Sequence, residues 1–218
     1  MHLGKLYNRF DSRCKSLDKR ASDILLQKAN ISTWEFNYLT STLISSTWLH
    51  WSTFCRDLIM YSCQGTKARN TLKITPRSNI NSFERVAYEA SMAAKNQIQN
   101  LQPNAHISFP MWREPSWGDM SKLVKIITGL HPSNENTQLN YFGTSSRLAD
   151  LQLIRNACAH KNSETLLRLQ NLSLYYNFSK LQHPSELAWA TLKGSNDTAF
   201  FYWLYEMNLI ADYATSTT

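Results

Sequence analysis

The sequence predicts an all-α fold, a helical bundle with long loops between the helices. Apolar residues recur at three- and four-residue spacing over several long segments, the period at which side chains share one helix face. Gly and Pro number only 6 each in 218 residues, too few to punctuate a sandwich of many tight turns. Hydrophobic residues make up 43% and aromatic residues 12%, enough to fill a core at this length. No internal repeat, low-complexity tract or clear linker divides the chain. One domain over residues 1–218 is expected, with its core at about residues 30–210.

The elements follow in order. Residues 10–30 place Leu17, Ala21, Ile24 and Leu25 at helical spacing among Lys, Arg and Asp, which predicts an amphipathic helix with a charged outer face. Ser32 or Thr33 caps a second helix that runs to about Ser62, with Glu35 in its first turn, where an acid suits the helix dipole. Ile44, Trp48, Trp51, Cys55 and Leu58 form a seam along it; tryptophans so spaced read as core or dimer interface rather than as base-stacking platforms. Residues 64–80 are a basic, polar connection. Asn81 or Ser82 begins a helix to about Leu101, and residues 102–118, with Pro103, Pro110 and Pro115, read as loop. Asp119 or Ser121 starts a short helix to about Gly129, and residues 131–146 are polar again. A helix from Ser145 or Ser146 through His160 has a buried stripe of Leu148, Leu151, Ile154 and Cys158. Further helices are expected over residues 163–175 and about 197–214.

The net charge of +7 and pI of about 9.3 favour a polyanionic partner such as RNA, DNA or an acidic membrane. Positive charge gathers early, at Lys5, Arg9, Arg13, Lys15, Lys19 and Arg20, a face that either meets solvent or touches phosphate. Cys14, Cys55, Cys63 and Cys158 form no CxxC pair and no zinc-ligand spacing, so reduced thiols, mostly core, are expected. The first residues, MHLGKLYNRF, lack the apolar stretch of a signal peptide, and Leu43–Met60 is interrupted by His50, Arg56 and Asp57. A cytoplasmic protein without a membrane span is the expectation.

The stretch with most chemical content is RNACAH, Arg155 to His160. On a helix each residue turns about 100°, so with Arg155 at zero Asn156 points near ~100° and His160 near ~140°. Asn156 and His160 become neighbours one turn apart, with Arg155 flanking them. Such an edge suits RNA cleavage without a metal. An imidazole takes a proton from a 2′-hydroxyl or gives one to the leaving 5′-oxygen. Arg offers rigid donors to the phosphorane, and Asn156 could hold the ring or bond the phosphate. Plainer readings stand beside this: Arg155 pairing with Asp150 or Glu164, and His160 capping its own helix. No P-loop, HExxH, dinucleotide fingerprint or GxSxG is present.

The segment LQLIRNACAHKN resembles the motif of HEPN proteins, helical bundles with Arg-x4-6-His late in the chain, often as Arg-Asn-x-x-x-His. With the upstream WREPSWGD and the early Trp48, Trp51 and Phe54, the chain is similar to a subgroup of standalone prokaryotic HEPN proteins, among them the RiboL-PSP-like domains. The resemblance spans about residues 30–210, although only the RNACAH helix is specific. It implies a bundle of the HEPN type and a metal-independent endoribonuclease needing no cofactor. Arg155, His160 and Asn156 would be catalytic, and Glu35 would be a supporting acid; Ser52 stands where an acid would be expected after Trp51. It further implies a homodimer with the motif helices at the two-fold axis, products with 2′,3′-cyclic phosphate and 5′-hydroxyl ends, and a role in defence or a toxin–antitoxin pair with a restraining partner. Asn162 stands where some members have a Tyr that is nucleotidylated, which argues against that subgroup. The alternatives are a non-catalytic HEPN module that binds RNA, nucleotide or a partner protein, and a structural adaptor.

Overall fold

The computed structural model describes residues 2–77, 81–144, 147–160 and 162–216. The fold is all-α. Among the described residues the α-helices are α1 (Leu3–Gln27), α2 (Thr33–Gln64), α3 (Phe83–Ala94), α4 (Met120–Leu130), α5 (Glu135–Phe142), α6 (Leu148–Ala159), α7 (Ser163–Gln170) and α8 (Ala199–Ala214). Among the described residues strand is confined to two antiparallel pairs of two-residue strands, β1 (Thr66–Lys67) with β2 (Lys73–Ile74) and β3 (Tyr176–Asn177) with β4 (Thr191–Leu192). None of the described helices is long and apolar enough to cross a membrane. The chain forms two compact units, both discontinuous in sequence: Met1–Phe10, Trp51–Ser145 and Leu209–Thr218 make the first, Asp11–His50 and Ser146–Asn208 the second.

In the first unit α3 packs on α4 and α4 on α5. Phe10, Trp51, Phe54 and Phe142 form an aromatic core, with ring centroids of Phe10 and Phe54 4.5 Å apart. The buried indole Nε1 of Trp51 donates to the Gly118 carbonyl at 3.2 Å, so its one polar atom is satisfied. Two predicted helix starts are present as caps: Ser82 Oγ accepts from the Arg85 N–H, and Asp119 accepts from Ser121 and Lys122. The helix expected to reach Leu101 stops at Ala94, because Asn96 takes a left-handed conformation (φ 57°) that closes it. A 3₁₀ turn at Ile98–Asn100 follows. The polar segment expected at 131–146 holds α5, which buries Phe142 and Gln138; the Gln138 amide donates to Ser62 Oγ at 2.9 Å. The connection over 64–80 holds the β1–β2 hairpin, and its residues 78–80 lie outside the described residues.

In the second unit α6 packs on α7 and on the 3₁₀ segment Pro184–Trp189. A buried polar network holds the start of α6. Tyr176 Oη donates to Asp150 Oδ2 at 2.7 Å, Arg147 donates to the same oxygen at 3.3 Å, and Trp203 Nε1 donates to Tyr176 Oη at 3.3 Å. Burial raises the Asp150 carboxyl above its usual range, outweighing the hydrogen bond from Tyr176 and the charge of Arg147. The expected start of this helix at Ser145 or Ser146 lies outside the described residues. The helix expected over 163–175 is α-helical only to Gln170 and continues as a 3₁₀ turn over Asn171–Leu174.

Candidate functional site

The site lies in the second unit, where α6 turns into α7. Leu148, Asp150, Leu151, Ile154 and Ala157 are the buried face of α6, which leaves Arg155 and Asn156 half-buried on its outer edge. Cys158, expected in the buried stripe, is only half-buried. It falls in the last turn, where it lines a shallow hollow against α2 instead of the core.

Helix α6 ends one residue earlier than the sequence suggests. His160 is its C-cap (φ −127°, ψ 74°), so its ring direction is set by non-helical backbone. The neighbourhood with Asn156 nevertheless holds, since the His160 N–H donates to the Asn156 carbonyl at 2.8 Å. The turn is fixed from the other side as well. Asn162 caps α7 by accepting from the Thr165 N–H at 2.9 Å, and the Thr165 hydroxyl donates to the His160 carbonyl at 2.9 Å. Hydrogen bonds thus hold the backbone on both sides of an exposed imidazole.

His160 and Asn156 line one hollow of about 360 Å³ with Leu153, Asn162, Thr165 and Arg168. Arg168 donates to Glu164 at 2.7 Å, but both side chains are more than half exposed, so the pair is weakly held and the guanidinium can turn to an anion. Arg155 donates to Asn156 Oδ1 at 3.1 Å and is not among the residues lining the hollow. It makes no ion pair among the described residues: Asp150 is taken by Arg147 and Tyr176, and Glu164 by Arg168. With its oxygen on Arg155, Asn156 keeps its amide N–H groups for an acceptor. Glu35 is exposed in the first turn of α2, its backbone N–H bonded to Ser32 Oγ at 3.2 Å, and it does not line this hollow.

A second, shallower hollow of about 350 Å³ lies between α2 and the end of α6, lined by Tyr38, Ser41, Thr42, Ser45, Ser46 and Leu49 against Cys158 and Ala159. Trp34 stacks on Tyr38 with centroids 5.5 Å apart and planes 9° from parallel. Trp34, Tyr38 and Leu49 are 74%, 58% and 61% exposed, so this strip of α2 presents large apolar groups to solvent.

Arg168, Asn162 and Thr165 escape sequence reasoning focused on the RNACAH helix. The signal that finds them is the capping pair Asn162 and Thr165, which announces a second helix at once and puts Arg168 about one and a half turns from His160's end of it. Among the described residues no group of three His, Cys, Asp or Glu side chains is placed to hold a metal ion. The sequence matches no family model, and neither a curated protein nor a solved structure matches it.

Proposed function

We propose that this protein is an endoribonuclease of the HEPN type that cleaves RNA without a metal at the His160 hollow. The observation that carries this reading is the convergence of an exposed imidazole, the Asn156 amide and the Arg168 guanidinium on one open hollow, with Arg155, in no ion pair among the described residues, behind Asn156. In the reaction a 2′-hydroxyl attacks the adjacent phosphorus and the bond to the 5′-oxygen breaks, so the products are a 2′,3′-cyclic phosphate and a 5′-hydroxyl. The proton leaves the 2′-oxygen and another reaches the 5′-oxygen; an imidazole performs either transfer. Arg168 and the Asn156 amide donate to the phosphorane oxygens, and Arg155 holds Asn156 in place.

We place the two-fold axis of a homodimer at the exposed strip of Trp34, Tyr38 and Leu49, which borders Cys158 and Ala159, so that pairing buries the strip and brings two His160 hollows to one cleft. A role in prokaryotic defence or a toxin–antitoxin pair, with a restraining partner, follows from the same reading. The second reading, a non-catalytic module that binds RNA, nucleotide or a partner, is favoured by Arg155 lying against Asn156 instead of lining the hollow. Cleavage of total RNA and purified tRNA by wild type and His160→Ala in EDTA separates the two. Cleavage by wild type alone supports the enzyme; binding without turnover by both supports the module.

A further inference from the structure

The second unit holds another hollow, of about 260 Å³, between α1 and α2. Its floor is apolar, made of Ile24, Leu39 and Leu43. Hydrogen-bonding groups ring it: Asp23 and Gln27 from α1, Thr42 and Ser46 from α2. An apolar lining with polar groups beside it fits a nucleobase, whose faces are apolar and whose edge is polar. The volume lies just under the ~300 Å³ at which small-molecule pockets begin. It takes one base and leaves the sugar and phosphate at the rim.

The rim is cationic. Arg20 lines the hollow, and Arg13 lies two turns earlier on the same face of α1, roughly 10 Å along the axis. Both are exposed, and among the described residues neither forms an ion pair or hydrogen bond, whereas Lys15 beside them is neutralised by Asp11 at 2.6 Å. His50 of α2 faces both arginines: partial burial and then the charges of Arg13 and Arg20 hold its imidazole below the usual range. Two guanidiniums on one face that form no ion pair among the described residues can take a phosphate, although the Asp23 carboxylate shares the hollow with Arg20.

We infer that the α1–α2 hollow binds a nucleoside phosphate, its base on the Ile24–Leu39–Leu43 floor and its phosphate on Arg20 and Arg13. The Asp23 carboxylate at the edge selects a base that presents two adjacent N–H donors, as guanine does, over uracil, which presents one. The choice of RNA as the source of this nucleotide rests on the ribonuclease reading; the chemistry of the hollow is shared by a free nucleotide and a strand. Thr42 and Ser46 also border the hollow that reaches Cys158 and Ala159. The nucleotide would therefore sit across α2 from the motif, as a distal subsite that sets where a strand is cut.

The test uses the full chain and probes that are not cut. Fluorescein-labelled 2′-O-methyl RNA dodecamers, one containing guanine and one all uridine, are titrated by fluorescence polarisation; guanosine and uridine 5′-monophosphates are titrated by calorimetry. The variants are Arg13→Ala/Arg20→Ala and Asp23→Ala, whose side chains are exposed and bond to nothing described, with circular dichroism to check the fold. The double variant is expected to weaken dodecamer binding about 10-fold at low salt and to reduce the salt slope by roughly 1.4, the loss of two single-strand phosphate contacts. Asp23→Ala is expected to remove the preference for guanine. Binding of the guanosine monophosphate as well identifies a free-nucleotide site; binding of the dodecamer alone identifies a strand subsite; both support the inference. Unchanged affinity in the double variant, no guanine preference in wild type, or no binding of any probe overturns it. Those results leave the ribonuclease reading intact, because His160→Ala cleavage tests that separately.

Discussion

Tyr176→Phe removes a single oxygen from the interior of the second unit, and its cost can be worked from the contacts of that oxygen. Tyr176 Oη donates to the Asp150 carboxylate at 2.7 Å and accepts from Trp203 Nε1 at 3.3 Å, and both rings and the carboxylate are buried. A hydrogen bond to a charged group contributes about 1.5–3 kcal/mol, and a buried donor left unpaired costs about 1–3 kcal/mol. The parts sum to about 2.5–6 kcal/mol, and because Asp150 keeps Arg147 the low end, about 3 kcal/mol at neutral pH, is expected, or roughly 6–12 °C in Tm for a chain of this length. The two parts separate by pH. The Asp150 carboxyl is raised above its ordinary 3.8 by burial, and the Tyr176 hydrogen bond counters that. A raised acid lowers stability only where it is ionised, so the penalty is present above the folded pKa and absent below the unfolded one. Removing Tyr176 raises Asp150 further, so the carboxylate part of the loss is full at pH 7 and shrinks as the pH falls toward 4, while the Trp203 part stays. Thermal and urea unfolding followed by circular dichroism at pH 7 and pH 4 measure this, with the exposed Tyr205→Phe as a neutral control. A loss under about 0.5 kcal/mol at pH 7, or one equal at both pH values, would refute the reasoning, since 0.5 kcal/mol is what an uninvolved surface change gives.

Glu114 accepts from Arg56 at 2.7 and 2.9 Å and from Trp117 Nε1 at 2.7 Å, so Glu114→Ala strands three donors and should cost about 3 kcal/mol by chemical denaturation. Gly65 and Gly194 both have left-handed backbones (φ 83° and 81°), but a Cβ on Gly65 would meet the Pro76 ring at 2.8 Å while one on Gly194 meets nothing within 4 Å. Gly194→Ala should cost about 1 kcal/mol and Gly65→Ala clearly more, read from paired melts. Burial pushes the thiols of Cys14 and Cys63 up to about 12 and that of Cys55 well above its usual value. Iodoacetamide under native conditions should thus label the half-buried Cys158 first, as peptide mass spectrometry would show.

The helices legible in the sequence are those with a wide apolar stripe or a capping residue. Of the seam along α2, Ile44, Trp51, Cys55 and Leu58 are buried and Trp48 is half-buried, and Ser82 and Asp119 cap where their positions suggest. Helix α5 was hidden because two of its three buried residues, Thr137 and Gln138, are polar beside Phe142, and the Gln138 amide donates to Ser62, far along the chain. The end of α3 was hidden because an Asn in left-handed backbone has no apolar signature. At the site, periodicity alone placed Asn156 beside His160. It could not tell that His160 leaves the helix, which depends on the Asn162 cap and Thr165 across the turn. Nor could it bring in Arg168, which belongs to the next helix.

The central claim is that His160 moves a proton for attack by a 2′-hydroxyl, and product ends test it most directly. One defined RNA would be offered to wild type and to His160→Ala in EDTA, with 2′-hydroxyls throughout or with 2′-O-methyl groups, and the ends of every product analysed. Cyclic phosphate and 5′-hydroxyl ends are expected from wild type on the hydroxyl substrate alone. Cleavage of the 2′-O-methyl RNA, or equal cleavage by His160→Ala, would contradict it.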